Sequence, residues 1–156
     1  FIVEKKQWLG YTYIYVSIVR NINEEGEQMA VTEAVENYLE AILVLSRKQP
    51  DVHAVDVCNH LGYSRPTLSV AIKQMKEDGL ISVSGENHIT LTESGLKVAE
   101  RIYERHNVIA AMLMGIGVSQ ETAYSDACKI EHDLSDETFE CVKAHFLKFI
   151  NEEGQK

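Results

Sequence analysis

The amino-acid sequence predicts a mainly α-helical fold with one small β-hairpin set among the helices, and three observations point to it. From Thr32 onward, apolar residues recur at the i, i+3, i+4 spacing of amphipathic helices over most of the chain. Two short runs, 81–84 and 88–91, alternate apolar and polar residues instead, on either side of Gly85-Glu86-Asn87. Cap residues and glycine stops punctuate the helical stretches at short intervals.

In chain order, Val35, Tyr38, Leu39, Ile42 and Leu43 form the apolar stripe of a first helix, which Gln49-Pro50-Asp51 ends. A short second helix runs from Val55 to Leu61. After Gly62-Tyr63, Ser64 stands as N-cap and Arg65-Pro66 opens a third helix that stops at Asp78-Gly79. That is helix-turn-helix spacing. On the third helix Leu68, Ile72 and Met75 make the inward stripe, leaving Arg65, Thr67, Ser69, Lys73 and Lys76 outward, small polar and basic side chains that suit a DNA major groove. The hairpin that follows reads as a wing, so the N-terminal domain is a winged helix-turn-helix. Thr92 caps a long helix from Glu93 to about Met114, Gly115-Ile116-Gly117 breaks it, Ser119 caps a further helix to Asp133, and a last helix spans about Asp136 to Glu152. Val108, Ile109, Met112, Leu113 and Ile116, with Phe139, Val142, Phe146, Phe149 and Ile150, exceed what three short helices cover alone, which makes this C-terminal part a helical dimerisation domain. The expected organisation is 29–100 as the winged helix-turn-helix and 101–156 as the dimerisation domain. Residues 1–28 begin with Phe1 and end in Asn23-Glu24-Glu25-Gly26-Glu27 before Met29, and are expected to be an extension or a mis-assigned start.

The chain has 156 residues, 45% hydrophobic and 25% charged, an ordinary globular composition. It has no run of the roughly 18 to 20 apolar residues that a membrane helix needs and no signal-peptide pattern, so a cytoplasmic protein with no membrane partner is expected. Three widely spaced cysteines, Cys58, Cys128 and Cys141, without a CxxC pair, favour reduced thiols over a disulfide framework. The net charge of −9 does not suit a nucleic-acid binder, but its distribution matters more than its sum. Residues 64–103 balance five basic against five acidic side chains, whereas 104–156 carry five basic and ten acidic.

The segment richest in chemistry is Asp126-Ala127-Cys128-Lys129-Ile130-Glu131-His132. On a helix, Cys128, Glu131 and His132 fall at i, i+3 and i+4 and share one face. Thiolate, carboxylate and imidazole together suit a first-row divalent transition metal, the thiolate leaning toward Fe²⁺, Zn²⁺ or Co²⁺ and away from Mg²⁺ and Ca²⁺. The same spacing is also compatible with a core cysteine beside two solvated helix positions. His106 on the preceding helix, and Asn37 and Glu40 three apart on the first helix, are further donors. Cys58 reads as core, Cys141 as packed or partly exposed, and His53, His60, His88 and His145 as surface residues.

From about Thr32 to Phe149 the chain resembles the iron- and manganese-dependent repressor family, DtxR/MntR. The likeness is carried by Glu36-Asn37-Tyr38-Leu39-Glu40-Ala41-Ile42, Ser64-Arg65-Pro66-Thr67-Leu68-Ser69, Asp78-Gly79-Leu80-Ile81, Leu91-Thr92-Glu93-Ser94-Gly95, Arg105-His106 and Cys128-Lys129-Ile130-Glu131-His132-Asp133-Leu134-Ser135. The last segment, with x-x-Glu-His after a Cys or Glu, is the specific one.

The resemblance implies a metal site lined by Asn37, Glu40, His106, Cys128, Glu131 and His132, and DNA contacts from Ser64, Pro66, Thr67 and Ser69. Arg65, Lys73 and Lys76 add phosphate contacts, since the wing tip Gly85-Glu86-Asn87 has no basic residue. The family usually has Asp or Met where Asn37 stands. Glu40 matches its manganese branch and Cys128 its iron branch, so Fe²⁺ is the expected cofactor and Mn²⁺ the next. The iron branch's ancillary ligand positions hold Ala110 and Tyr124, and the two-domain form without the SH3-like third domain is expected. The implied function is a metal-dependent transcriptional repressor of iron or manganese homeostasis, not an enzyme. It would bind double-stranded DNA at a palindromic operator as a homodimer with metal as corepressor. Three other readings keep parts of this pattern: a metal-independent winged-helix regulator, whose DNA binding ignores chelator; a metalloenzyme, which would want HExxH or paired Glu-x-x-His motifs that the sequence lacks; and a structural dimerisation module with a vestigial wing, which would show no DNA preference.

Overall fold

The computed structural model describes residues 31–153; the 1–28 extension and the start at Met29 lie outside them, as do the side chains of Phe149 and Ile150. The described residues form α1 (Glu33–Ser46), α2 (Ala54–Leu61), α3 (Arg65–Glu77), β1 (Ile81–Val83), β2 (Ile89–Leu91), α4 (Glu93–Gly115), α5 (Gln120–Ile130) and α6 (Asp136–Glu153). They fall into two compact units, one within Met29–Tyr103 and one within Glu104–Lys156.

In the first unit, α1 buries Tyr38, Leu39, Ala41, Ile42 and Leu43, the stripe its helical period predicts. Against it pack Val57 and Cys58 of α2, Leu68 and Met75 of α3, Ile81 and Ile89 of the hairpin, and Ala99 of α4. Each large aliphatic side chain buried here contributes about 1.5–3 kcal/mol. Among the described residues of this unit the one buried charged group, Glu36, meets Arg101 of α4 at 2.7 Å.

Helix ends are set by local chemistry. The α2 N-terminus is a reciprocal capping box in which the His53 N–H donates to Asp56 at 2.8 Å. At the end of α3, the Leu80 N–H donates to the Met75 carbonyl at 2.9 Å and the Gly79 N–H to that of Lys76 at 3.2 Å, a Schellman closure with Gly79 at φ +70°. The hairpin pairs Ile81 with Leu91, Ser82 with Thr90 and Val83 with Ile89. Its strands are each one residue shorter than expected at the turn, although the Ser84 N–H still donates to the His88 carbonyl at 3.0 Å, and Asn87 between them takes φ 61°. Ile81 and Ile89 face inward while Ser82 and Thr90 join hydroxyls at 2.6 Å on the exposed face. The Ile89 N–H also donates to the Val52 carbonyl at 2.8 Å, sewing the wing to the segment before α2.

Thr92 joins wing and long helix. Its hydroxyl donates to the Gly79 carbonyl at 2.6 Å and accepts from the Gly95 N–H at 3.1 Å, capping α4. A Cβ on Gly95 would lie 1.9 Å from the Leu80 carbonyl oxygen, so only glycine lets α4 approach there.

In the second unit, Ser119 caps α5 and Ser135 precedes α6, their hydroxyls accepting from Thr122 and Thr138 amides. One small core gathers Val108, Phe139 and Leu147; another gathers Ile109, Ala110 and Ala127 with Leu113, Tyr124 and Leu134. Thus Val108, Ile109, Phe139 and Phe146 are already buried within one chain, whereas Ile116 is 74% exposed. The helix expected to reach Asp133 ends instead at Ile130: the Asp133 N–H closes a tighter turn on the Ile130 carbonyl, and the Glu131 and Leu134 carbonyls are taken by a side chain, Arg105. Among the described residues no helix is long and apolar enough to cross a membrane.

Candidate metal centre and recognition helix

Within the Glu104–Lys156 unit, three consecutive residues of α4 set up a site. Glu104 is buried and paired with Lys143 of α6 at 2.7 Å. Arg105, buried at 4% exposure, reaches the turn between α5 and α6. His106 follows, its Nδ1 2.8 Å from Glu131 Oε2. With the proton on Nδ1 the ring donates to that carboxylate and the Nε2 atom carries the lone pair. The ring of Tyr124, 5.5 Å away between centroids, lies beside the imidazole.

Glu131 is the centre of this arrangement. It is fully buried, and its second oxygen, Oε1, has no hydrogen bond. A carboxylate so placed is costly unless something positive or protic meets it. His132 approaches Oε1 with Nε2 at 3.4 Å, its own side chain 6% exposed. Donor atoms of His106, Cys128 and Glu131 all lie within 4.8 Å of one another, the one such group of three among the described residues. Donors around an ion with bonds of about 2.0–2.3 Å stand up to about 4.6 Å apart, so this set needs little rearrangement to share one. A buried carboxylate with an unsatisfied oxygen, an imidazole and an exposed thiol fit a first-row divalent ion.

Of the six residues expected to line a metal site, the structure therefore brings together His106, Cys128 and Glu131, with His132 against Glu131. The expected shared helical face is altered: Glu131 is the C-cap of α5 and His132 lies in the turn beyond it. Glu131 keeps helical dihedrals (φ −58°, ψ −34°), so Cys128 and Glu131 still converge. Asn37 and Glu40 lie on α1 of the other unit, both half-buried. Cys58 is buried as read, Cys141 is exposed, and His60 and His145 are exposed. His53 and His88, expected at the surface, are half-buried with rings 4.6 Å apart, edge to face.

On the first unit, α3 exposes every residue expected to touch DNA: Ser64, Arg65, Pro66, Thr67, Ser69, Lys73 and Lys76. Ser64 and Thr67 join hydroxyls at 2.7 Å at the helix start. Val70, not among the residues expected to touch DNA, is 73% exposed on the same helix. Its exposure follows from the helical period, since Val70 falls opposite the Leu68, Ile72, Met75 stripe.

Comparison with known proteins matches these two halves separately. Residues 30–89 fit the N-terminal DNA-binding domain of iron-dependent repressors, and 92–154 fit the metal-binding and dimerisation domain of the same proteins. The transcriptional regulator MntR of Escherichia coli O6:H1 is 34% identical over 124 residues, covering 80% of this chain and 77% of that protein. This chain belongs to the iron-dependent repressor family. The repressor is also 29% identical over 122 residues to the iron-dependent repressor IdeR of Mycobacterium bovis, spanning 78% of this chain and 51% of that protein. Its fold matches a solved manganese-dependent transcriptional repressor in complex with manganese, with a TM-score of 0.67, 26% identity, and coverage of 72% of this chain and 52% of that one. The repressor thus spans about half the length of these last two relatives. The family is one of DNA-binding transcriptional repressors, not of enzymes.

Proposed function

We propose that this repressor binds double-stranded DNA as a homodimer at a palindromic operator in the cytoplasm, with a divalent transition metal as corepressor, and that it controls iron or manganese homeostasis. The observation that carries the reading is the buried Glu131 with an unsatisfied oxygen, set among His106, Cys128 and His132. In this reading 29–100 is the DNA-binding domain and 101–156 the metal-binding and dimerisation domain. Asn37 and Glu40 of α1 are the further ligands of this reading. The ion would supply positive charge to a site whose one buried carboxylate, Glu131, has an oxygen without a hydrogen bond. Cys128 favours Fe²⁺, with Mn²⁺ next through the oxygen and nitrogen donors.

On the DNA side, Ser64, Pro66, Thr67, Ser69 and Val70 face base edges, the valine and proline suiting thymine methyl groups, while Arg65, Lys73 and Lys76 meet phosphates. A dimer reads two half-sites when its recognition helices stand about 34 Å apart, one turn of DNA. Metal shifts the protein toward that arrangement only by binding it more tightly than the others.

The test is anaerobic capture of sheared genomic DNA by the purified protein with Fe²⁺, with Mn²⁺ and with chelator, alongside Glu131→Gln. Enrichment that needs metal and is lost in Glu131→Gln supports the reading. Enrichment unchanged by chelator supports the metal-independent winged-helix regulator instead.

A further inference from the structure

We propose that Arg105 is a positioning residue of the metal centre: its side chain holds the turn from Glu131 to Asp136 in the shape that presents Glu131 and His132 beside His106. This rests on the metal-site reading above. Arg105 has no lone pair to offer an ion, so any effect it has on metal is exerted through the residues it holds.

The geometry is specific. Nη1 donates to the Glu131 carbonyl at 2.9 Å and to the Leu134 carbonyl at 2.7 Å, while Nη2 pairs with the Asp136 carboxylate. The guanidinium also lies 5.0 Å over the Phe139 ring, and Lys143 stands 5.8 Å from the same ring while paired with Glu104. One side chain thus reaches the beginning, middle and end of the turn that joins α5 to α6, from the position next to His106. Helix ends leave carbonyls without partners, and the α5 end is closed by Arg105 rather than by a glycine cap.

A guanidinium at 4% exposure is costly to bury unless its donors are met, and here the turn meets them. Arginine stays charged at all working pH and spreads its donors in a planar fork, whereas lysine offers a point charge that cannot reach the same acceptors together. Removing the fork leaves the Glu131 backbone free to drift relative to His106. Partners of metal ligands that are lost in this way cost about 10- to 100-fold in metal affinity in other proteins.

The test compares wild type, Arg105→Gln, Arg105→Lys and Glu131→Gln. Affinity for Mn²⁺ and Co²⁺ is read by competition with a fluorescent chelator, site geometry by Co²⁺ ligand-field and thiolate charge-transfer bands, and turn order by amide exchange of 131–135 in metal-free protein. Expected for Arg105→Gln is a loss of affinity of about tenfold or more, altered Co²⁺ bands and faster exchange across 131–135, with amides of α1 unchanged. Arg105→Lys should fall between it and wild type. Affinity within twofold of wild type and unaltered Co²⁺ bands would overturn the proposal, even with faster exchange. If the Arg105 variants fail to fold, Asp136→Ala decides, since that carboxylate is 65% exposed and its loss removes one arm only. A severalfold loss of affinity with an intact circular dichroism spectrum supports the proposal, and no change overturns it. Equal binding by wild type and Glu131→Gln would instead sink the metal-site reading, and the role of Arg105 with it.

Discussion

At the scale of single residues, two positions make opposite use of space. Gly95 sits in the first turn of α4, and within a helix alanine is ordinarily preferred to glycine, by up to about 1 kcal/mol. Here an added Cβ would lie 1.9 Å from the Leu80 carbonyl oxygen and 2.8 Å from its carbon, backbone atoms that cannot swing aside. Gly95→Ala should therefore destabilise the protein by about 2–4 kcal/mol in denaturant unfolding, reversing the ordinary sign. Tyr38 is buried in the core of its unit. Burial, then the nearby Tyr63 and Cys58, push its phenol above the usual value of 10.0. Because the folded state keeps this proton where the unfolded chain gives it up, the contribution is fully present below about pH 10 and is lost as pH rises through the folded value. Stability should be flat in this respect to about pH 9 and fall beyond pH 10, and Tyr38→Phe should lessen that alkaline fall.

At the scale of elements, the junction of α3, wing and α4 depends on Thr92. A single hydroxyl caps α4 through the Gly95 N–H and ties it to the Gly79 carbonyl at the end of the recognition helix. Losing an N-cap costs about 1 kcal/mol, and the second bond adds to it. Thr92→Ala should lower stability by about 1–2 kcal/mol, and Thr92→Ser should restore most of it. The α5–α6 turn shows the complementary case: an element boundary set by a residue 26 positions away, since Arg105 takes the Glu131 carbonyl.

At the scale of the whole molecule, the donors gathered around the buried Glu131 in one of the two compact units would, on the proposed reading, make stability depend on metal. A ligand that binds only the folded protein adds about 2.7 kcal/mol at a hundred times its dissociation constant. Under anaerobic conditions, added Mn²⁺ or Fe²⁺ should raise the melting temperature of the wild type and leave that of Glu131→Gln where it is in chelator. A rise of equal size in both would show that the ion is held elsewhere.

What the sequence determined by itself was the set of local signals. Ser64 and Pro66 open α3, Gly79 closes it, the alternating residues on either side of Gly85 make the wing, and Thr92 and Ser119 start helices, because caps, glycine stops and periodicity act within a few residues of themselves. Cys128, Glu131 and His106 were legible as donors for the same reason, since their chemistry belongs to each side chain. The tertiary structure decided which of them meet. Glu131 became a buried carboxylate with an open oxygen, α5 stopped at Ile130, His53 and His88 paired, and Gly95 became irreplaceable. Each of these depends on groups brought together by packing from distant parts of the chain, and burial of that kind leaves no periodic trace in the sequence.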